Sequence, residues 1–318
     1  MSEYTFAEMV RIEESLPNMK SFTVVTIIIL FLSICNGKEN ISPACPKYQK
    51  TIPYLDIAVE MIDKAKEGFV SNLNNELNLR DAKPVDCEEL LKSGTNKSGV
   101  YVIWPRNRII QEKPLDVYCD MITDGGGWTV IQRRKNFSMP RDYFFREWSS
   151  YKTGFGDMEK EFWLGNDNIF GLTNQRLYSV RFDLKDMAGE SRYALYDRFW
   201  IDDEDHFYTL HIAEYSGNAG DSMIEVHNNM KFSTKDKDND VHKENCAQMF
   251  KGGWWYGGCH HSNLNGLNLQ GKHDSYADGV NWKSFRGHNE SLEFTEIKIR
   301  PKNFMGKPSP TEDYETPK

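Results

Sequence analysis

The sequence predicts an α+β domain built on a twisted antiparallel sheet, with a long loop-rich region near its C-terminal end. Three observations lead there. Short β-rich runs recur from Pro84 onward (Val100–Trp104, Trp128–Arg133, Tyr178–Leu184, Arg192–Phe199, Tyr208–Ile212), separated by Gly-rich turns. Helical patterns are brief, as at Cys87–Lys92 and Tyr143–Trp148. Mixed short strands and short helices favour an antiparallel sheet over repeated βαβ units. Lastly, regular patterning fades from about Ser216 to Asn289, where Gly, Asn, Asp and aromatics dominate. A loop region that long stays folded only with a disulfide or a metal to hold it.

The 318 residues suffice for one large domain or two ordinary ones. A hydrophobic share of 39% with 27% charged residues argues against wholesale disorder. The net charge of −8 argues against nucleic acid or an anionic membrane as a general partner, since those usually demand a basic footprint. Eight Trp, fifteen Tyr and eighteen Phe are the compositional surplus and suit a rich core or a stacking surface.

In sequence order, residues 1–18 form an acidic-leaning N-terminal extension. Residues 19–37 have the shape of a signal peptide: Met19-Lys20, a charge-free run from Phe22 to Cys35, then small residues near Asn36-Gly37. The run is short for a membrane-spanning helix, which needs about 20 residues, so no stable membrane insertion is expected. A signal anchor with residues 1–18 as its cytoplasmic tail is the rival reading. Residues 38–84 read as a stalk. Ile52, Leu55, Val59, Ile62, Lys66, Phe69 and Leu73 follow the spacing of a coiled-coil seam, with a single amphipathic helix as the plainer alternative. The domain proper occupies residues 85–304, closed by an alternating strand at Leu292–Arg300, and the Pro/Ser/Glu-rich residues 305–318 read as a disordered tail.

Cysteine usage agrees with a secreted, extracellular protein. Cys35 falls in the signal, and two local bridges are natural in an oxidising compartment, Cys87–Cys119 and Cys246–Cys259. Cys45 is then odd, and in a stalk it suggests a bridge between subunits of a homo-oligomer. Asn40, Asn96, Asn136 and Asn289 begin glycosylation sequons, compatible with a glycoprotein.

The richest segment runs from Asp236 to Cys259. Asp236, Asp238 and Asp240 alternate just before Cys246, a costly cluster of like charge unless a hard cation such as Ca2+ neutralises it. An EF-hand does not fit: counted from Asp236, its sixth position is Val241 rather than Gly and its twelfth is Ala247 rather than Glu. A zinc site from Cys246, Cys259, His260 and His261 would need free thiolates, which secretion disfavours. Gly220-Asp221-Ser222 lacks the surroundings of a protease nucleophile, and no Gly-x-Ser-x-Gly, His-Glu-x-x-His or phosphate-cradling loop is present. An enzyme is therefore not expected.

The sequence strongly resembles the fibrinogen C-terminal domain family. The resemblance rests on Asp86-Cys87, Val117-Tyr118-Cys119-Asp120-Met121, Gly125-Gly126-Gly127-Trp128-Thr129-Val130 and Tyr151-Lys152-Thr153-Gly154-Phe155-Gly156. It continues through Phe162-Trp163-Leu164-Gly165, Ser216-Gly217-Asn218-Ala219-Gly220-Asp221 and Asn263-Leu264-Asn265-Gly266. It implies a small N-terminal region, a central sheet and a loop-rich region carrying Ca2+ and ligand, with the two bridges named above. It also implies Ca2+ ligation by the side chains of Asp238 and Asp240 and the backbone carbonyls of His242 and Glu244.

Fibrinogen's pocket takes a cationic peptide end between carboxylates, whereas the matching positions here, Phe250 and Ala277, are neutral. The segment Tyr276-Ala277-Asp278-Gly279 is similar instead to the tachylectin and ficolin type of acetyl-binding lectin. The implied ligand cup is Phe250, Tyr276, Ala277 and His288, with the Cys259 N–H and His260 alongside, and the resemblance implies a cis peptide at Gly258–Cys259. The expected function is calcium-dependent recognition of an acetylated carbohydrate such as N-acetylglucosamine, in innate immunity or agglutination. The rival is a structural or signalling ligand for a protein receptor, in the manner of angiopoietin-like and tenascin-like relatives.

Overall fold

The computed structural model describes residues 61, 62, 64, 66, 83–106, 113–135, 139–302 and 304. The protein divides into two compact units between Asn75 and Glu76. In the first, residues 61, 62, 64 and 66 are helical, which includes the seam positions Ile62 and Lys66. The signal peptide, Cys45, Asn40, Asn136, the rest of the seam and the tail lie outside the described residues. Among the described residues no helix is long and apolar enough to cross a membrane.

The second unit is organised by an antiparallel sheet of long and short strands. They are β1 (Gly99–Ile103), β2 (Leu115–Asp120), β3 (Trp128–Arg134), β4 (Phe155–Gly156), β5 (Phe162–Trp163), β6 (Tyr178–Lys185), β7 (Ser191–Ile201), β8 (Leu210–Gly217) and the late-arriving β13 (Phe294–Pro301). Two short pairs sit in the loop region, each a separate small sheet: β9 (Ser262–Asn263) with β11 (Asn281–Trp282), and β10 (Gly271–Lys272) with β12 (Glu290–Ser291). The main order is β1-β2-β3-β13-β6-β7-β8, with β5 on β3 and β4 on β5. The last strand thus lies at the centre, antiparallel to both β3 and β6.

β13 shows why a central strand can carry charge. Thr295, Ile297 and Ile299 face the core, while Glu296, Lys298 and Arg300 form the opposite row and are also buried. Each of these ions has a partner: Arg133 Nε lies 2.6 Å from Glu296, and Lys298 Nζ lies 2.6 Å from both Asp120 and Asp183 and 3.0 Å from Glu296. Arg300 Nη2 lies 3.0 Å from Asp124. Ions this far from water persist only when paired.

The α1 helix (Cys87–Lys92) forms where expected and is capped by Asp86, whose carboxylate accepts the Glu89 N–H. Residues Tyr143–Trp148 do not form the expected helix. The helix is instead α2 (Trp148–Thr153), because its first free N–H, on Trp148, is accepted by Asp236 from 88 residues away. The α3 helix (Asn166–Thr173) carries no clear periodic signal, and strand β2 is not among the predicted runs although Leu115, Val117 and Cys119 alternate with Asp116, Tyr118 and Asp120. Single-turn helices α4 (Ile224–His227), α5 (Cys246–Met249) and α6 (Lys283–Arg286) punctuate the loop region. Both bridges form as expected, Cys87–Cys119 beside β2 and Cys246–Cys259 across the loop region.

Aromatic side chains join the sheet to that loop region. The Tyr151 ring lies 5.2 Å from Phe155, 5.7 Å from Trp163 and 5.1 Å from Phe232, all edge-on or tilted. Its hydroxyl donates to the Phe144 carbonyl at 2.6 Å and accepts the Gly253 N–H at 3.0 Å. A Cβ at residue 253 would sit 2.5 Å from this ring, so glycine is required there. Tyr151→Phe would leave the Gly253 N–H buried and unpartnered, while the Phe144 carbonyl keeps the Arg146 N–H at 2.9 Å. The expected cost is about 1–3 kcal/mol, read as a lower urea midpoint with an unchanged slope.

Candidate ligand cup and calcium loop

Two structures share the stapled loop. The first is the acidic turn. Asp238 Oδ1 accepts the Asp240 N–H at 3.2 Å, and Asp240 in turn accepts the His242 N–H and the Cys246 N–H, each at 2.9 Å. The last bond ties the turn to α5 and so to the Cys246–Cys259 bridge. Burial, and then the neighbouring Asp238 charge, push the Asp240 carboxyl above its ordinary range against the pull of those N–H groups. A cation at this point would relieve that cost. The donor set is all oxygen (two carboxylates and the carbonyls of His242 and Glu244), which suits a hard ion such as Ca2+. The His242 ring lies against one of these donors, with Nδ1 3.1 Å from the Glu244 carbonyl.

Asp236 is not part of the turn's chemistry. Its Oδ1 accepts from both the Trp148 N–H at 2.9 Å and the Thr234 hydroxyl at 2.7 Å. Among the described residues, the side chains of His242, Cys246 and Cys259 also converge, but both sulfurs are consumed by the disulfide and offer no thiolate. Ser222 of the Gly-Asp-Ser sequence hydrogen-bonds the Ser284 hydroxyl at 2.9 Å, a packing role.

The second structure is a cup of rings. His260 is its hub: its centroid lies 4.7 Å from Phe250, edge to face, 5.5 Å from His288 and 6.0 Å from Tyr256. Tyr276 leans on His288 at 5.6 Å. Ala277 is 2% exposed beside a Tyr276 that is 67% exposed, and its N–H donates to the His288 carbonyl at 3.1 Å. Ala277 has a φ of 62°, a left-handed conformation that points to strain at the site. All six residues expected to line the cup are therefore brought together. Tyr256 is a fully buried supporting ring near His260 that sequence reasoning missed; its only signal was membership of the Trp254-Trp255-Tyr256 run.

The polar chemistry of the cup is specific. His260 Nε2 lies 2.9 Å from the Ala277 carbonyl, and a carbonyl can only accept, so Nε2 carries the proton. Burial, helped by neighbouring His227 and His288, pushes the ring's pKa down to about 3, so it stays neutral. Its Nδ1 is then a bare acceptor, and it is buried without a partner. One residue earlier, the Cys259 N–H donates no hydrogen bond among the described residues. The expected cis peptide at Gly258–Cys259 is absent: the bond is trans. The turn closes by other means, with Cys259 in a left-handed conformation (φ 67°) and the Gly257 N–H donating to the Cys259 carbonyl at 3.0 Å.

Of the described sequons, Asn96 and Asn289 are both exposed, and Asn289 immediately follows the cup residue His288. His227, by contrast, is a buried scaffold histidine. Its Nδ1 donates to the Trp255 carbonyl at 2.7 Å, and its Nε2 accepts the N–H groups of His261 and Ser262.

Comparison with known proteins places these features in a family. The model for the C-terminal globular domain of the fibrinogen beta and gamma chains matches residues 83–302. Techylectin-5A of Tachypleus tridentatus is 57% identical over 221 residues, covering 70% of this protein and 75% of that one. A techylectin-like protein of Phoneutria nigriventer is 51% identical over 261 residues, covering 82% and 99%. Among solved structures, the fibrinogen-like globe domain of human ANGPTL2 superposes with a TM-score of 0.65 at 43% identity, covering 69% of this protein and 99% of that domain.

Proposed function

The protein belongs to the fibrinogen C-terminal domain family, and on that premise we propose that it is a secreted, calcium-dependent lectin-like protein that binds N-acetylated glycans. One observation carries this reading: among the described residues, two consecutive cup residues offer an unbonded donor, the Cys259 N–H, and an unbonded buried acceptor, His260 Nδ1. An acetamide needs that pair, a donor for its C=O and an acceptor for its N–H. Buried polar groups without partners are costly, so a ligand that satisfies both gains selectivity over one that satisfies neither. The methyl of the acetyl group would lie over Ala277, where the small side chain leaves room and Phe250, Tyr276 and His288 provide dispersion contact. A cationic ligand has no counter-charge on these walls and would be disfavoured. The lectin names of the two relatives above agree with this reading.

Ca2+ would be held by Asp238 and Asp240 with the carbonyls of His242 and Glu244. Bound there, it would neutralise the acidic turn and steady α5, whose C-terminal neighbour is Phe250. A single shallow cup binds weakly, so useful avidity would come from several domains joined through the stalk and Cys45. The extracellular defence role follows from the same reading.

Retention on immobilised N-acetylglucosamine is the direct test. Removing Ca2+ should release the protein, and Tyr276→Ala should weaken binding by about tenfold through loss of one aromatic wall. Retention that survives both changes ends this reading. The likeness to the ANGPTL2 globe keeps a second reading in view, a ligand for a protein receptor. A glycan array with free acetate as competitor separates the two, because a receptor ligand would show no acetate-sensitive glycan signal.

A further inference from the structure

The protein is acidic overall, yet one face gathers cations that form no ion pair among the described residues. Lys235 and Lys251 both stand over Phe145, with Nζ 5.1 and 5.2 Å from the ring centre. Lys237 lies 3.8 Å over Trp148, and Lys231 lies 4.6 Å over Phe207. Several other lysines are paired, as Lys152 is with Asp167 and Glu204, Lys185 with Glu293 and Lys302 with Glu214. Among the described residues none of these four lysines forms an ion pair. Two nearby carboxylates are already engaged. Asp236 accepts from Trp148 and Thr234, and Glu204, which Lys237 feels electrostatically, is held by Lys152 at 2.6 Å and by the Trp148 indole at 2.8 Å.

The lysines are also held in place. Thr234 and Lys237 exchange backbone hydrogen bonds of 2.9 and 3.2 Å, which makes residues 234–237 a closed turn. Asn245 donates its side-chain amide to the Thr234 carbonyl at 3.0 Å, and Gln248 donates to the Lys235 carbonyl at 2.7 Å. The turn is therefore bolted to α5, and the backbone leaving α5 passes through the cup wall Phe250 directly into Lys251. A lysine resting on a ring face has already lost part of its rotamer freedom, so an anion binding there orders less.

We propose that this lysine–aromatic face is a second carbohydrate subsite, which takes the sulfate or carboxylate groups of an acidic polysaccharide. The half-buried rings of Phe145 and Phe207 offer faces on which sugars stack, the ammonium groups offer the charge, and the face continues from the wall of the N-acetyl cup. The subsite does not depend on the cup's own ligand. The molecule's net charge of −8 disfavours nucleic acid as the occupant.

The test uses the full-length protein and three immobilised polymers: heparin, which is sulfated; hyaluronan, which carries carboxylates alone; and neutral dextran. Heparin should bind and dextran should not, and raising the salt from about 0.05 to about 0.2 M should weaken heparin binding several-fold. Equal binding of hyaluronan identifies carboxylate as sufficient, and a preference for heparin identifies sulfate. The triple variant Lys235→Gln, Lys237→Gln, Lys251→Gln should lose at least about tenfold in affinity, and the Lys→Arg triple should retain it. Tyr276→Ala should leave heparin binding unchanged. Three results would overturn the proposal: a Gln triple that keeps the wild-type thermal midpoint and binds heparin equally, displacement of heparin by free N-acetylglucosamine, or duplex RNA bound as tightly as heparin.

Discussion

Replacing Lys298 with methionine is expected to destabilise the domain by about 3–5 kcal/mol, the scale for removing one partner of a buried ion network. Lys298 lies at the centre of the sheet with three carboxylates, on Asp120, Asp183 and Glu296, within 3.0 Å. Methionine keeps most of the volume but leaves those charges in a site from which water is largely excluded. The pH response should change sign as well. Burial alone would raise the Asp120 carboxyl, but the Lys298 charge and hydrogen bond, with help from Thr123 and Ile122, hold it at about 2 against an ordinary value of 3.8. A depressed carboxylate adds stability that is fully present above pH 3.8 and is lost as pH falls through about 2. In Lys298→Met the burial remains and the cation is gone, so the carboxyl's pKa should exceed its unfolded value. Acidification from about pH 5 to about pH 3 should then narrow the gap between variant and wild type in urea midpoint. A gap that is constant over that range would show that the carboxylates do not depend on Lys298.

The same strand shows how much could be read in advance. Its alternation is legible, since Ile297 and Ile299 mark one face, and the structure places it at Phe294–Pro301 as a strand. Its position between β3 and β6 is not legible, because sequence order carries no information about which long-range pairing wins. The charged row Glu296, Lys298 and Arg300 reads as a solvent face until its partners at Arg133, Asp120, Asp183 and Asp124 are known. The α2 helix was misplaced for a similar reason, its start being set by Asp236 from a distant loop. In the cup, the residue types at Phe250, Tyr276, Ala277 and His288 were legible through family resemblance. The bare Nδ1 of His260 was not, since it exists only because the Ala277 carbonyl, 17 residues away, claims the other nitrogen. The lysine face was invisible for the same reason: its rings come from residues 145, 148 and 207, far from the lysines in sequence.

Calcium should show itself through a crossing of two stability orders, which a purely structural acidic turn could not produce. Saturating Ca2+ at about a hundred times its dissociation constant should stabilise the wild-type domain by about 2.7 kcal/mol, and a chelator should remove that gain as a fall in thermal midpoint. Asp238→Asn keeps an Oδ1 that accepts the Asp240 N–H, the bond made at 3.2 Å in the native turn. It removes the like charge that, after burial, raises the Asp240 carboxyl. In chelator the variant should therefore match or exceed the wild type, because repulsion within the turn is relieved and no cation is there to be missed. In Ca2+ the order should reverse, because one of two anionic ligands is gone and hard-cation affinity falls with ligand charge. Sugar retention should follow the same order, because Asp240 also accepts the Cys246 N–H at 2.9 Å and so links the turn to the helix that leads into Phe250. Equal midpoints with and without chelator for the wild type would remove calcium from the mechanism and leave the turn held by its own hydrogen bonds.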